Sequence, residues 1–111
     1  MPDMNTAVRL VLTTAGSREE ALRLAQTLVE ERLAACASLI PGVESVYRWK
    51  GEVETATETM LLIKTGADQV AALEARLTAL HSYETPEFLV LNVEARSHAY
   101  LDWLQGSLRR A

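Results

Sequence analysis

The stretch Ala35 to Thr65, ACASLIPGVESVYRWKGEVETATETMLLIKT, decides the fold. It offers two strand-like segments, Ala37 to Trp49 and Val53 to Ile63, rich in Val, Ile, Thr and aromatics and joined at Gly51. Each is longer than the usual strand of roughly five or six residues. A strand rises about 3.3 Å per residue and a helix about 1.5 Å, so such a hairpin overshoots any helix of comparable length laid across it. Its outer half therefore lacks cover from its own chain. Pro41-Gly42 interrupts the first segment, and a proline there removes a ladder donor, which predicts a bulge or bend. Beyond it Val43, Ser45, Tyr47 and Trp49 share one face by alternation. A turn at Lys50-Gly51 sets Trp49 opposite Glu52 and Tyr47 opposite Glu54, which gives that aromatic face an acidic edge.

Outward from the hairpin, helices and strands alternate. Val8 to Leu12 reads as a central strand closed by Thr13-Thr14-Ala15-Gly16. Ser17-Arg18-Glu19-Glu20 has capping-box spacing, with Ser17 accepting at the helix start and Glu20 reaching back. From Ala21 to Leu33 the apolar residues occupy about half a helical wheel. Thr65-Gly66-Ala67-Asp68 starts a second helix carrying Val70, Leu73, Leu77 and Leu80 at helical period. Phe88 to Val93, introduced by Pro86, is the next strand, and Ser97 caps a last helix with Tyr100, Leu101, Leu104 and Leu108 on one stripe. The order β-α-β-β-α-β-α predicts an α+β fold of the ferredoxin-like, split βαβ type, with an antiparallel four-stranded sheet and two helices on one face.

The chain has 111 residues, 49% hydrophobic and 23% charged, which suits one globular domain spanning residues 1 to 111. A net charge of -4 with no basic run argues against nucleic acid as a partner. Met1 to Ala7 holds no positive cluster before an apolar run, and Val8 to Leu12 is too short to span a bilayer, so the expectation is a cytoplasmic protein without membrane attachment. Cys36 is the single cysteine, which excludes an intrachain disulfide. There is no Gly-rich phosphate loop, cysteine pair or Gly-x-Ser-x-Gly nucleophile motif, so a binding role is expected over an enzymatic one.

Several ordered motifs, Glu31-Arg32-Leu33-Ala34-Ala35-Cys36, Ile40-Pro41-Gly42, Tyr47-Arg48-Trp49-Lys50-Gly51, Ile63-Lys64-Thr65 and His81-Ser82-Tyr83-Glu84-Thr85-Pro86-Glu87, together resemble the CutA divalent-cation tolerance family. The resemblance runs from about Val8 to the end of the chain. It implies a homotrimer in which long hairpins pair between subunits, and a part in tolerance to copper and other divalent cations, with metal binding. The family's usual His-Pro-Tyr-Glu reads His81-Ser82-Tyr83-Glu84 here. Members with a copper site can carry a Cys near the end of the first strand and two adjacent His, where this chain has Thr13, Leu80 and His81.

Two kinds of site follow. For a metal, copper or another divalent cation, His81 stands three residues before Glu84, so imidazole and carboxylate could meet at one turn. Alternatively His81 serves the end of the second helix or hydrogen-bonds Glu84. Cys36 is either a soft Cu(I) ligand or a compact apolar group. His98 reads as an exposed residue, and Trp103 as packing within the last helix. For a pocket at a subunit boundary, Tyr47, Trp49, Lys64, Tyr83, Glu84 and Glu87 combine aromatic, cationic and acidic chemistry. The alternative there is that the aromatics pack an interface and Lys64 pairs with Glu84. Such a pocket would take a small anionic or nucleotide-like ligand, with Lys64 as its charge partner.

Overall fold

The two long strands pair with each other along most of their length. In the computed structural model, which describes residues 7–109, β2 (Cys36–Trp49) and β3 (Glu52–Gly66) flank the two-residue turn Lys50-Gly51. Both turn residues have positive φ, 50° and 82°, the conformation that matches the twist of the strands and that Gly51 adopts without a Cβ penalty. The expected register holds: Trp49 pairs with Glu52 and Tyr47 with Glu54. The bulge falls at Pro41-Gly42, which together oppose Thr59, with Gly42 at φ 74°.

Sheet order is β2-β3-β1-β4, all neighbours antiparallel, with β1 (Val8–Ala15) central and β4 (Leu89–Asn92) at the edge. One face is covered by α1 (Arg18–Glu30) and α2 (Val70–Leu80), the latter entered through a short 3₁₀ turn, Ala67–Gln69. The core between them holds Val11, Ala15, Leu61 and Ile63 from the sheet against Ala21, Leu24, Leu28, Leu73 and Leu77 from the helices. Burying each large aliphatic side chain in such a core is worth about 1.5 to 3 kcal/mol. The α+β, ferredoxin-like reading is thus the observed fold.

The opposite face is only partly covered. α3 (His98–Ser107) packs Leu101 and Leu104 over Val8 and Ala35 at one end of the sheet. The remainder of that face carries Leu10, Leu12, Met60 and Leu62, half-buried, with Ile40, Leu89 and Leu91 exposed. The hairpin then runs past everything else. Its 14-residue β2 reaches roughly 46 Å at strand rise, against about 20 Å for the 13-residue α1, and the molecule measures 45 × 26 × 22 Å. No helix among the described residues is long and apolar enough to cross a membrane. The expectation drawn from the N-terminal segment falls, apart from Ala7, outside the described residues.

Helix termini follow the sequence signals with two differences. Ser17 caps α1 by accepting from the Glu20 backbone at 3.1 Å, and Ser97 caps α3 by accepting from Tyr100 at 3.1 Å. The capping box is only half formed, however, because the Glu20 carboxylate turns to Ser82 instead of Ser17. And α1 stops at Glu30, short of Leu33, because Arg32 turns the chain in the left-handed region at φ 60° and the Leu33 and Ala34 amides return to the Leu28 carbonyl.

Candidate functional site

The segment after α2 folds back over the end of β1, and two buried polar residues hold it there. Glu20 accepts from the Ser82 amide and hydroxyl, each at 2.8 Å. Burial works to raise its pKa, but those two bonds and the nearby His81 ring hold the carboxyl below the ordinary carboxylate value. His81, with a fully buried side chain, bonds the Thr14 carbonyl through Nε2 at 2.7 Å and accepts the Tyr83 amide at Nδ1, 3.0 Å. A carbonyl can only accept and an amide N–H only donate, so the neutral form of the ring that fits both partners carries its proton on Nε2.

This geometry revises the expected meeting of His81 with Glu84. The imidazole points inward, 3.8 Å from Glu20, and both of its nitrogens are engaged, while Glu84 is exposed on the cleft side. Cys36 lies elsewhere, half-exposed near the base of the hairpin, with its Sγ 3.9 Å from Lys64 Nζ and 4.0 Å from Ser38 Oγ. His81, Glu84 and Cys36 are therefore not brought together. Among the described residues no three His, Cys, Asp or Glu side chains gather closely enough to hold one ion.

The aromatic residues do come together. Tyr83 crosses Gly16, where an added Cβ would stand 3.2 Å from its hydroxyl, and donates to Glu58 Oε2 at 2.7 Å. Its pKa is raised, first by burial, then by that hydrogen bond and the charge of Glu58. Between this loop and the outer hairpin opens a cleft of about 690 Å³. Its walls include Tyr47, Trp49, Tyr83, Glu84 and Glu87 from the expected set, and also Glu54 and Glu58.

Lys64 is the exception. It pairs across the sheet with Cys36 and donates to Ser38 Oγ at 2.6 Å. Four residues of β3, roughly 13 Å of strand, separate it from Met60 at the near end of the cleft and ten from Glu54 at the far end, and with its ammonium held at Ser38 it is not among the residues that line the cleft of its own chain. Glu54 is expected from the sequence only as the acidic edge of the hairpin and Glu58 not at all, although the register contains both. Continuing from Tyr47 opposite Glu54 by alternation puts Glu58 opposite Val43 on the same face.

Of the remaining candidates, His98 is 90% exposed and lies 3.8 Å from Asp102. Trp103, expected to pack, is half-exposed with its ring 5.4 Å from Tyr100. A shallower hollow beside α2, lined by Glu31, Arg76 and Arg109 among others, has its charges spent internally. Arg76 clamps Glu31 through two nitrogens at 2.9 and 2.8 Å, and Arg109 donates to the Glu31 carbonyl.

A ferredoxin-like sheet with an overlong hairpin, one partly bare apolar face and an aromatic, acid-lined cleft at the hairpin's side defines a class of small α+β sandwich proteins, here with no three metal-donor side chains gathered among the described residues. The chain belongs to the CutA1 divalent ion tolerance protein family, whose model matches residues 9–107. It is 46% identical over 96 residues to the divalent-cation tolerance protein CutA of Thermus thermophilus, covering 86% of this chain and 93% of that one. With CutA of Escherichia coli it shares 45% identity over 105 residues, 95% of this chain and 94% of the relative. The crystal structure of CutA1 from Oryza sativa superposes with a TM-score of 0.93 at 37% identity, covering 98% of this chain and all of the other.

Proposed function

We propose that this protein acts in divalent-cation tolerance as a cytoplasmic homotrimer, binding copper or a similar ion through donors contributed by more than one copy, and that its role is binding, not catalysis. One observation carries the reading. The sheet face bearing Leu10, Leu12, Met60, Leu62, Leu89 and Leu91 has no helix over it, and it continues into a hairpin that overhangs the body of the chain. A contiguous apolar face of this kind is costly in water and is typical of an assembly surface. Among the described residues no three donors of one chain gather, and shared ligation is what a trimer would add.

Light scattering tests the assembly. A trimer has a mass near 37 kDa, three times 12.3 kDa, and a stable monomer at micromolar concentration would sink the proposal. Copper calorimetry on the assembled protein and on Cys36→Ser tests the metal: an absence of heat with both ends that part alone. A second reading, a trimer that holds a small molecule at the subunit boundary, draws support from the cleft between Tyr47, Trp49 and Tyr83.

A further inference from the structure

The charges on one face of β3 are sorted by position. By alternation Glu52, Glu54, Glu58, Met60, Leu62 and Lys64 point the same way, since the extra residue of the bulge lies in β2 and not in β3. Carboxylates stand on the outer half of that face, an ammonium at its inner end, and apolar side chains between them. Lys64 and Glu54 of one chain are ten residues apart, roughly 33 Å of strand, and cannot meet.

Lys64 sits on the sheet face that the helices leave bare, between Leu10 of β1 and Cys36 of β2. It is half-buried, donates to Ser38 Oγ at 2.6 Å and stands 3.9 Å from Cys36 Sγ, and no carboxylate pairs with it among the described residues. An ammonium has three protons to donate, and sulfur is a weak acceptor. Water can serve the open side of Lys64 while the face is bare. Once another copy covers that face the water is lost, and a buried cation without an anion is costly. A covering surface must therefore bring a carboxylate to Lys64.

The hairpin of a second copy carries one. Its outer half overhangs its own chain, and Glu54 has no hydrogen-bond or ion-pair partner there among the described residues. Tyr47 lies directly across from Glu54 and can shield a pair from water, whereas Glu58 is already bonded to Tyr83 and Glu52 stands beside the turn. Two such faces laid side by side in the same direction and register would set like charges together. Laid so that the outer end of one meets the inner end of the next, they set acid on ammonium, and a head-to-tail contact of this kind can close into a ring.

We propose that in the assembled protein Lys64 of one copy pairs with Glu54 on the hairpin of the next, so that the order of charges along β3 fixes which end of the ribbon docks where. The pairing rests on the homotrimer reading and names the residues that direct it.

The test is a charge exchange. The quantity followed is the protein concentration at half-assembly, read by light scattering with urea added to bring it into range. Lys64→Glu and Glu54→Lys each set like charges together and should raise that concentration roughly tenfold or more, while the double variant should recover most of the loss. Circular dichroism reports whether each chain folds, and where Lys64→Glu does not, Lys64→Met with Glu54→Gln completes the same cycle. Losses that simply add in the double variant overturn the pairing and leave the homotrimer standing. Assembly unmoved by either single change does the same. A wild-type protein that stays monomeric overturns the pairing and the homotrimer together.

Discussion

Replacing Thr13 by valine should stabilise this protein, although it deletes a polar group from a polar residue. Thr13 is fully buried in β1 opposite Leu61, and its hydroxyl is the buried side-chain polar atom that finds no hydrogen-bond partner among the described residues. A hydroxyl moved from water to such a site without a partner costs about 1 to 3 kcal/mol. Valine has nearly the same shape, so the change trades that cost for a methyl packed in the core and should gain about 1 to 2 kcal/mol. Thr65 supplies the matched control. It too is fully buried, but its hydroxyl donates to the Leu33 carbonyl at 2.7 Å, so Thr65→Val strands that carbonyl and should lose about 1 kcal/mol or more. The assay is urea unfolding of both variants at one protein concentration, since an assembly's stability depends on concentration. Opposite signs are the expected result. A loss of stability in Thr13→Val, with its urea slope unchanged, would show that the hydroxyl is satisfied and refute the reasoning.

Three further outcomes are expected. Arg32→Gly should raise stability by about 0.5 to 1 kcal/mol in the same assay, because Arg32 ends α1 at φ 60° and its side chain makes only a long 3.5 Å bond to the Gly106 carbonyl. Glu20 has its carboxyl held below the ordinary value of 4.5, so its contribution is present above that pH and is lost as pH falls through the folded value; Glu20→Gln should flatten the acid limb of a pH-stability profile. Gly16→Ala brings a methyl to 3.2 Å from Tyr83 Oη, so it should loosen the bond to Glu58, and absorbance titration should show a tyrosine ionising nearer its usual pH.

How far the sequence discloses this molecule depends on whether the deciding contacts are local. The hairpin register was legible because Gly51 fixes the turn and alternation carries it outward, and the bulge because Pro41 cannot donate to the ladder. Both helix caps were legible from serine alone. The orientation of His81 was not, since the carbonyl that turns it inward belongs to Thr14, 67 residues away. The same holds for Glu20, whose partner Ser82 is 62 residues distant and outcompetes the local cap. Lys64 shows a different limit: a family motif places residues in order along a chain, whereas the length of a strand decides which of them can meet.

The bulge has a consequence for how this ribbon can change in length. Inner pairs such as Ile40 with Met60 have position numbers that add to an even total, and outer pairs such as Tyr47 with Glu54 to an odd one. A two-residue turn demands the odd total, so the extra residue at Pro41-Gly42 reconciles a base set by the helices with a tip set by the turn. Deleting Gly42 would leave every other pair and the same turn in place and would remove only the bend. Lengthening the tip by two residues on each strand would move it outward by about 7 Å and keep the same side chains facing the same way. A single residue added to one strand would have no such neutral solution, and would need either a second bulge or a different turn.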